Sequence, residues 1–305
     1  MKAEKIIIGE GTNYPLKGIL ALPDGEEKFP AVVFVHGSGA SNMDEKVGKL
    51  TPFKDLAEGL AAQGVASIRY DKRSFAHGMK MMKEELTVRQ ETIEDAILAA
   101  DLLRRDSRID PEKIFIVGHS MGAMLAPRID AEGGNFAGLV MMAGTLRTME
   151  DVLFYQLREI GEGSDPLTRW ILKGQIRKYE KQLGDIYEIS DEEARQRKFG
   201  LGANVYYFKE MGIHPAKDYL EKTNKPMLIM QGGSDLQVKA ELDFAGYQKL
   251  LGDRDNVTFK LYEGLNHCFV PAVCDSLAKM KKEFARERHI PAEVIADLAN
   301  WVKAQ

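Results

Sequence analysis

The segment KIFIVGHSMGAML, residues 113–125, constrains the fold more than any other stretch of the chain. An apolar run ends at Gly118, Ser120 stands between Gly118 and Gly122, and small and apolar residues follow. A lone hydroxyl needs no glycine on either side to be soluble. It needs both where a buried strand turns sharply into a helix, because side chains two positions either way would collide with the turn. The expected geometry is a strand, a strained turn that projects the Ser120 hydroxyl above the sheet, and a helix whose N-terminus favours negative charge at that point.

The flanking chain fits such a sheet. Short apolar, β-branched-rich runs recur at EKIIIGE, AVVFVHG, VASIRYD, KIFIVGH, FAGLVMMAG, KPMLIMQGG and VTFKLYEG. Helical segments lie among them: FKDLAEGLAAQG, which ends in a glycine C-cap, TIEDAILAADLLRRD, and a final AEVIADLANWVKA. This alternation predicts an α/β protein with a mostly parallel sheet of about eight strands and helices on both faces. Residues 146–217 break the rhythm. They contain no convincing strand and read as charged amphipathic helices, among them TMEDVLFYQLREIG and PLTRWILKGQIRKYEKQLG. The expected organisation is a core of residues 1–145 and 218–305, with 146–217 inserted as a helical cap over the carboxyl edge of the sheet. Ligands bind at that edge in open α/β sheets; a peripheral decoration is the plainer alternative.

A serine hydroxyl is a weak nucleophile. It needs a base, and the base needs an orienting carboxylate. Behind an elbow of this kind the chain order is serine, acid, histidine. His214, His267 and His289 lie beyond Ser120. His267 follows the last strand-like run and falls at the carboxyl edge, whereas His289 sits in the charged stretch KKEFARERHIP and His214 precedes the run that carries the acid. Asp235 follows KPMLIMQGG directly through a glycine turn. Asp243 reads as a helical residue, and Asp253 and Asp255 lie in the loop before the last strand. An aspartate in a loop is more often a turn or cap residue, but position and order favour Asp235. The oxyanion donors are expected from the amide of Met121 and from the loop FVHGSGAS, where the amide of Ser38 is the best candidate. His36 is expected to brace that loop, His119 to point away into the sheet, and His77 to lie on the rim.

Charge and composition remove other classes. A net charge of −4 and a pI of about 6.0 supply no attraction to nucleic acid or an anionic membrane. The apolar run at the N-terminus, Ile6 to Ile8, is too short for a secretion signal. No stretch approaches the roughly 20 apolar residues of a membrane span, so a cytoplasmic location is expected. The two cysteines, Cys268 and Cys274 in HCFVPAVC, read as free thiols, and their spacing matches no common zinc pattern.

Taken in order, HGSGASNMDE, GLAAQGVASIRYDKR, GHSMG, GGSDLQV and LNH resemble the α/β-hydrolase superfamily across nearly the full chain. More narrowly they resemble the bacterial serine esterases related to the dienelactone-hydrolase and cinnamoyl (feruloyl) esterase group. The resemblance implies an α/β-hydrolase fold with a mostly parallel eight-stranded sheet and a cap inserted after the sixth strand. It implies a triad of Ser120, Asp235 and His267, with the amides of Ser38 and Met121 as oxyanion hole. Two departures refine it. The oxyanion loop reads HGSG rather than the HGGG of the hormone-sensitive-lipase type. The nucleophile is Ser120, where dienelactone hydrolases carry cysteine and haloalkane dehalogenases aspartate, which favours ordinary esters. The expected activity is cleavage of a small-molecule carboxylic ester through an acyl-enzyme, with no cofactor and no metal. An acyl thioesterase would need a basic groove, an acyl-aminopeptidase-type peptidase usually carries a separate propeller, and a non-catalytic binding protein on this scaffold often loses a triad member. A homodimer is left open. The segment 146–217 holds nine aromatics. Trp170, Tyr206 and Tyr207 are candidates to line an apolar acyl or aryl pocket, against the alternative that these rings only join the cap to the sheet.

Overall fold

The computed structural model describes residues 1–81, 86–200 and 203–305. Ten strands and twelve α-helices are named in chain order. The first half contains β1 (Lys2–Ile8), β2 (Leu16–Leu22), β3 (Phe29–Val35), α1 (Pro52–Ala61), β4 (Ala66–Tyr70), α2 (Arg73–Met81), α3 (Glu94–Arg105), β5 (Ile109–His119), α4 (Met121–Ile129) and β6 (Leu139–Met142). The insertion contains α5 (Met149–Glu162), α6 (Pro166–Leu183), α7 (Asp191–Gln196), β7 (Lys198–Phe199), β8 (Ala203–Asn204), α8 (Tyr206–Ile213) and α9 (Ala216–Leu220). The chain ends with β9 (Met227–Gly232), α10 (Ala245–Leu251), β10 (Val257–Tyr262), α11 (Met280–Glu283) and α12 (Ala292–Ala304).

Eight strands form one sheet in the order β1-β2-β4-β3-β5-β6-β9-β10. β2 runs antiparallel to both of its neighbours, and the other pairs are parallel. The strand not quoted among the sequence runs is β2, LKGILAL. Its glycine weakens the strand signal, yet the glycine is required: a Cβ on Gly18 would stand 2.8 Å from the Arg69 carbonyl oxygen of β4. The central strands are buried on both faces, which is why β3, β5 and β9 read as continuous apolar runs rather than alternating ones.

Two cores flank the sheet. One packs α3 and α4 against it, and the other packs α1 and α12. In α1 the residues Phe53, Leu56, Ala57, Leu60 and Ala61 are buried at helical spacing, and Pro52 opens the first turn, where its missing N–H costs nothing. The helix stops at Gly64, whose φ of +84 is the left-handed conformation that a C-terminal glycine supplies. Each fully buried leucine here stabilises the fold by about 1.5–3 kcal/mol.

The insertion lies between β6 and β9 and carries its own small core of Leu183, Ile186, Ala194, Phe199, Val205 and Phe208. Contrary to the sequence expectation, it is not purely helical. β7 and β8 form a two-residue antiparallel pair, too short for any pattern in the sequence to announce. No described helix is long and apolar enough to cross a membrane.

Candidate active site

Parallel strands bring their carboxyl ends to one edge, so the loops after β3, β5, β9 and β10 meet there. Ser120 follows β5 directly, with φ 54 and ψ −116, a left-handed conformation that non-glycine residues rarely adopt. Its amide donates to the Met142 carbonyl at 2.9 Å, which ties the elbow to β6. The two glycines explain themselves. A Cβ on Gly118 would lie 2.2 Å from the Gly122 carbonyl oxygen, and one on Gly122 would lie 2.1 Å from that of Val35. Any side chain at either position forces the turn open.

Asp235 leaves β9 through Gly232 and Gly233 and is buried. Its Oδ1 accepts from the amides of Gln237 and Val238 at 2.8 and 3.0 Å. Its Oδ2 accepts from Gln231 Nε2 at 3.0 Å and from His267 Nδ1 at 2.7 Å. Because the carboxylate only accepts, the His267 proton belongs on Nδ1 and the lone pair on Nε2. The loop that carries His267 is held by Asn266, whose side chain accepts from the amides of Cys268 and Val270 and donates to Glu283. Ser120 and His267 line one cleft together with Ser38 and Gln237. Among the described residues no hydrogen bond links the Ser120 hydroxyl to His267. Such bonds often close only when substrate is present.

The loop after β3 is pinned from several sides. His36 Nε2 donates to the Asn42 carbonyl at 3.0 Å, and burial pushes its pKa down to about 4, so the ring is a neutral brace. The Gly37 amide donates to Glu45 Oε1 at 2.7 Å, and Lys72 Nζ donates to the Gly37 carbonyl at 2.9 Å. The amides of Ser38 and Met121 have no partner among the described residues, and both residues line the large cavity that Ser120 also faces.

That cavity, about 400 Å³, opens between the sheet edge and the insertion. Met121, Met124, Met149, Val152, Leu153, Phe199 and Phe208 give it apolar walls. Its polar lining includes Glu91 and Tyr207. The Tyr207 hydroxyl donates to Glu91 Oε2 at 2.6 Å, and burial, with the Glu91 charge behind it, holds the phenol far above its usual pKa. Lys72 Nζ stands 3.5 Å from the same Glu91 oxygen. Of the three aromatics singled out from the sequence, Tyr207 lines the cavity and the other two do not. Trp170 is 73% exposed on α6, and the Tyr206 ring lies 3.6 Å from the Arg195 guanidinium. Phe199 and Phe208, two further cap aromatics, line the cavity with Tyr207, and α5 adds Val152, Leu153 and Gln156, spaced one and three residues apart on one helical face. Glu91 had no sequence signal.

The other titratable candidates are elsewhere. His214 hydrogen-bonds the Tyr219 hydroxyl at 2.8 Å, His77 donates to the Pro15 carbonyl, and His289 is solvent-exposed beside Asp55. His119 does not point away from the site. Its ring packs on that of His267 with centroids 4.7 Å apart, because the His267 loop folds over the same sheet face as α1. Asp243 lies in the helical turn Ala240–Phe244, as its sequence suggests. It is buried and accepts from Thr145 Oγ1 at 2.6 Å and from Arg147 at 2.7 and 2.8 Å. Asp243→Ala is therefore expected to destabilise the protein by about 3 kcal/mol in urea unfolding. That is the low end for breaking a buried pair, since Arg147 keeps one side to water. Asp253→Asn, in an exposed loop, should stay within about 0.5 kcal/mol. Cys268 and Cys274 are free thiols. Among the described residues no group of three or more His, Cys, Asp or Glu is placed to hold a metal.

The sheet order and the glycine-flanked serine elbow together define an α/β hydrolase. Residues 32–278 match the model of the alpha/beta hydrolase family, and the chain belongs to that family. It is similar to the esterase EstD of Thermotoga maritima, with 34% identity over 287 residues, 94% of this chain. The chain spans 65% of the length of that relative. Among solved structures it is similar in fold to Est1E of Butyrivibrio proteoclasticus with ferulic acid bound (TM-score 0.60, 17% identity, 98% of this chain and 100% of that one). It is also similar to an esterase of Pyrococcus furiosus (TM-score 0.56, 16% identity, 99% and 91%).

Proposed function

We propose that the chain is a carboxylic ester hydrolase that works through Ser120, His267 and Asp235. The observation that carries this reading is the strained Ser120 at the mouth of an apolar cavity, beside two amides without a partner among the described residues and a histidine held by a buried carboxylate. His267 Nε2 takes the proton of the Ser120 hydroxyl as Oγ attacks the ester carbonyl. The oxyanion is held by the amides of Ser38 and Met121, and the N-terminus of α4 adds to the favourable field. The bond to the alcohol breaks, His267 returns the proton to the leaving oxygen, and water repeats the sequence on the acyl-enzyme. Similarity to EstD supports the ester reading.

The cavity favours a bulky acyl group. Its apolar walls suit an alkyl or aryl chain, and the buried Glu91–Tyr207 pair offers an acceptor to a hydroxyl on that group. A cinnamoyl-type acyl group has this chemistry, and Est1E, solved with ferulic acid, shares the fold. The test is a panel of p-nitrophenyl esters of increasing acyl length beside methyl hydroxycinnamates, an acyl-coenzyme A and an aminoacyl anilide. Esters are expected to lead. A thioester or anilide turned over more than tenfold faster than every ester would replace this reading.

The same panel tests the cavity walls. Leu153→Trp should fill the apolar space and lower kcat/KM for the longest acyl chains by about tenfold or more while sparing acetate. Trp170→Ala, on the outer face of α6, should leave the profile within about twofold. An altered profile for Trp170→Ala with none for Leu153→Trp would move the acyl site out of this cavity.

A further inference from the structure

A second acid–imidazole pair stands behind the first. Glu45 Oε1 accepts from the Gly37 amide at 2.7 Å, and its Oε2 stands 3.0 Å from His119 Nδ1, an ion pair off the line of a hydrogen bond. On the far side of the ring, His119 Nε2 donates to the His267 carbonyl at 2.8 Å. Glu45 itself is held in a left-handed conformation, φ 50, with its amide on the Asn42 carbonyl. Backbone strain at a non-glycine residue persists only where surrounding structure enforces it. Here that conformation accompanies a buried carboxylate placed between two loops. The chain thus connects, through two side chains, the loop that offers the Ser38 amide and the loop that carries His267.

We infer that Glu45 and His119 form a positioning pair: an ionised couple that holds the oxyanion loop and the His267 main chain in a fixed mutual register. The inference rests on the ester-hydrolase reading for its effect on turnover, but not for the couple itself. Burial opposes charge on both groups, and each overcomes it through the other. The Glu45 charge, helped by the His267 carbonyl, holds the His119 ring above its usual pKa, and the His119 charge holds the Glu45 carboxyl below its own. Stability from the raised histidine is complete below its ordinary pKa and lost as pH rises through the raised value. Stability from the depressed glutamate is present above its ordinary pKa and lost as pH falls through the lowered value. Both members are charged only between those limits.

The other groups facing the pair do not take its place. His36 is neutral at pH 7, and the Cys268 thiol is pushed up by burial and stays protonated. Lys72 is engaged by Glu91 and the Gly37 carbonyl. Asp235, beyond His267, accepts from His267 Nδ1.

The experiment uses the full chain, Glu45→Gln, His119→Gln and the double variant. It combines histidine ring titrations by nitrogen NMR with kcat and KM measured separately on one activated ester. Glu45→Gln keeps an acceptor for the Gly37 amide but removes the charge. It should let His119 lose its proton at lower pH and lower kcat several-fold with KM within about twofold. His119→Gln leaves Glu45 uncompensated and should lower kcat about tenfold with KM within about twofold. The double variant should lose no more than His119→Gln alone, since the two side chains act as one. A kcat unchanged in Glu45→Gln, or losses that simply add, overturns the inference; if His119→Gln fails to fold, Glu45→Gln alone decides. If the wild-type chain hydrolyses no ester, the hydrolase reading falls while the ring titrations still decide the pair. His119 titrating at its ordinary pH in the wild type, or unchanged in Glu45→Gln, overturns it.

Discussion

Ser120→Ala is expected to lower kcat on an activated ester by roughly 10⁵–10⁶-fold and to abolish labelling by a fluorophosphonate probe. The acyl-enzyme route needs the oxygen itself, and no neighbouring hydroxyl occupies the elbow. The fold should survive. The Ser120 side chain makes no hydrogen bond among the described residues, and alanine bears the left-handed φ of 54 at the same cost as serine. Gly118 and Gly122, which carry the steric demand of the turn, are untouched. Unfolding in urea should therefore shift by less than about 1 kcal/mol. Turnover at the wild-type rate, or probe attached to another residue, would remove Ser120 from the mechanism.

Asp235→Asn should cost about 10⁴ in kcat, or roughly 5 kcal/mol of transition-state stabilisation. The structure supplies the reason. Two backbone amides, from Gln237 and Val238, point at Oδ1 and demand an acceptor there. The asparagine oxygen meets that demand, which turns its NH₂ toward His267 Nδ1. Two donors would then face each other, so the ring must move its proton to Nε2, the nitrogen that has to be free to deprotonate Ser120. The Gln231 amide, which also donates toward that side, adds to the conflict. The measurement is kcat/KM for Asp235→Asn beside Asp253→Asn and Asp255→Asn, with circular dichroism to compare folding. The two loop variants should stay within a few-fold of wild type. Activity retained by Asp235→Asn and lost by one of the others would move the acid elsewhere and leave Ser120 and His267 in place.

What could be learned from the residues alone was whatever depends on neighbours in the chain. The glycines at 118 and 122 are demanded by contacts within a single turn and the strand beside it, so they announce the elbow directly. Continuous apolar runs announce strands buried on both faces, and the order of Ser120, Asp235 and His267 along the chain follows from which strand ends the sheet brings to one edge. The tertiary structure alone decided what packs across elements. Glu91 and Tyr207 are 116 residues apart and meet only because α8 descends onto the turn before α3. Trp170 and Tyr207 are both cap aromatics, and only the packing of the helices sends one to solvent and the other into the cavity. Asp243 reads as an ordinary helical aspartate until Arg147, 96 residues earlier, closes on it. Glu45 sits in a polar loop with no pattern at all. Its carboxylate acquires a partner only when the loops after β3, β5 and β10 converge, because an ion pair between loops is set by three-dimensional distance and burial, neither of which a linear pattern carries.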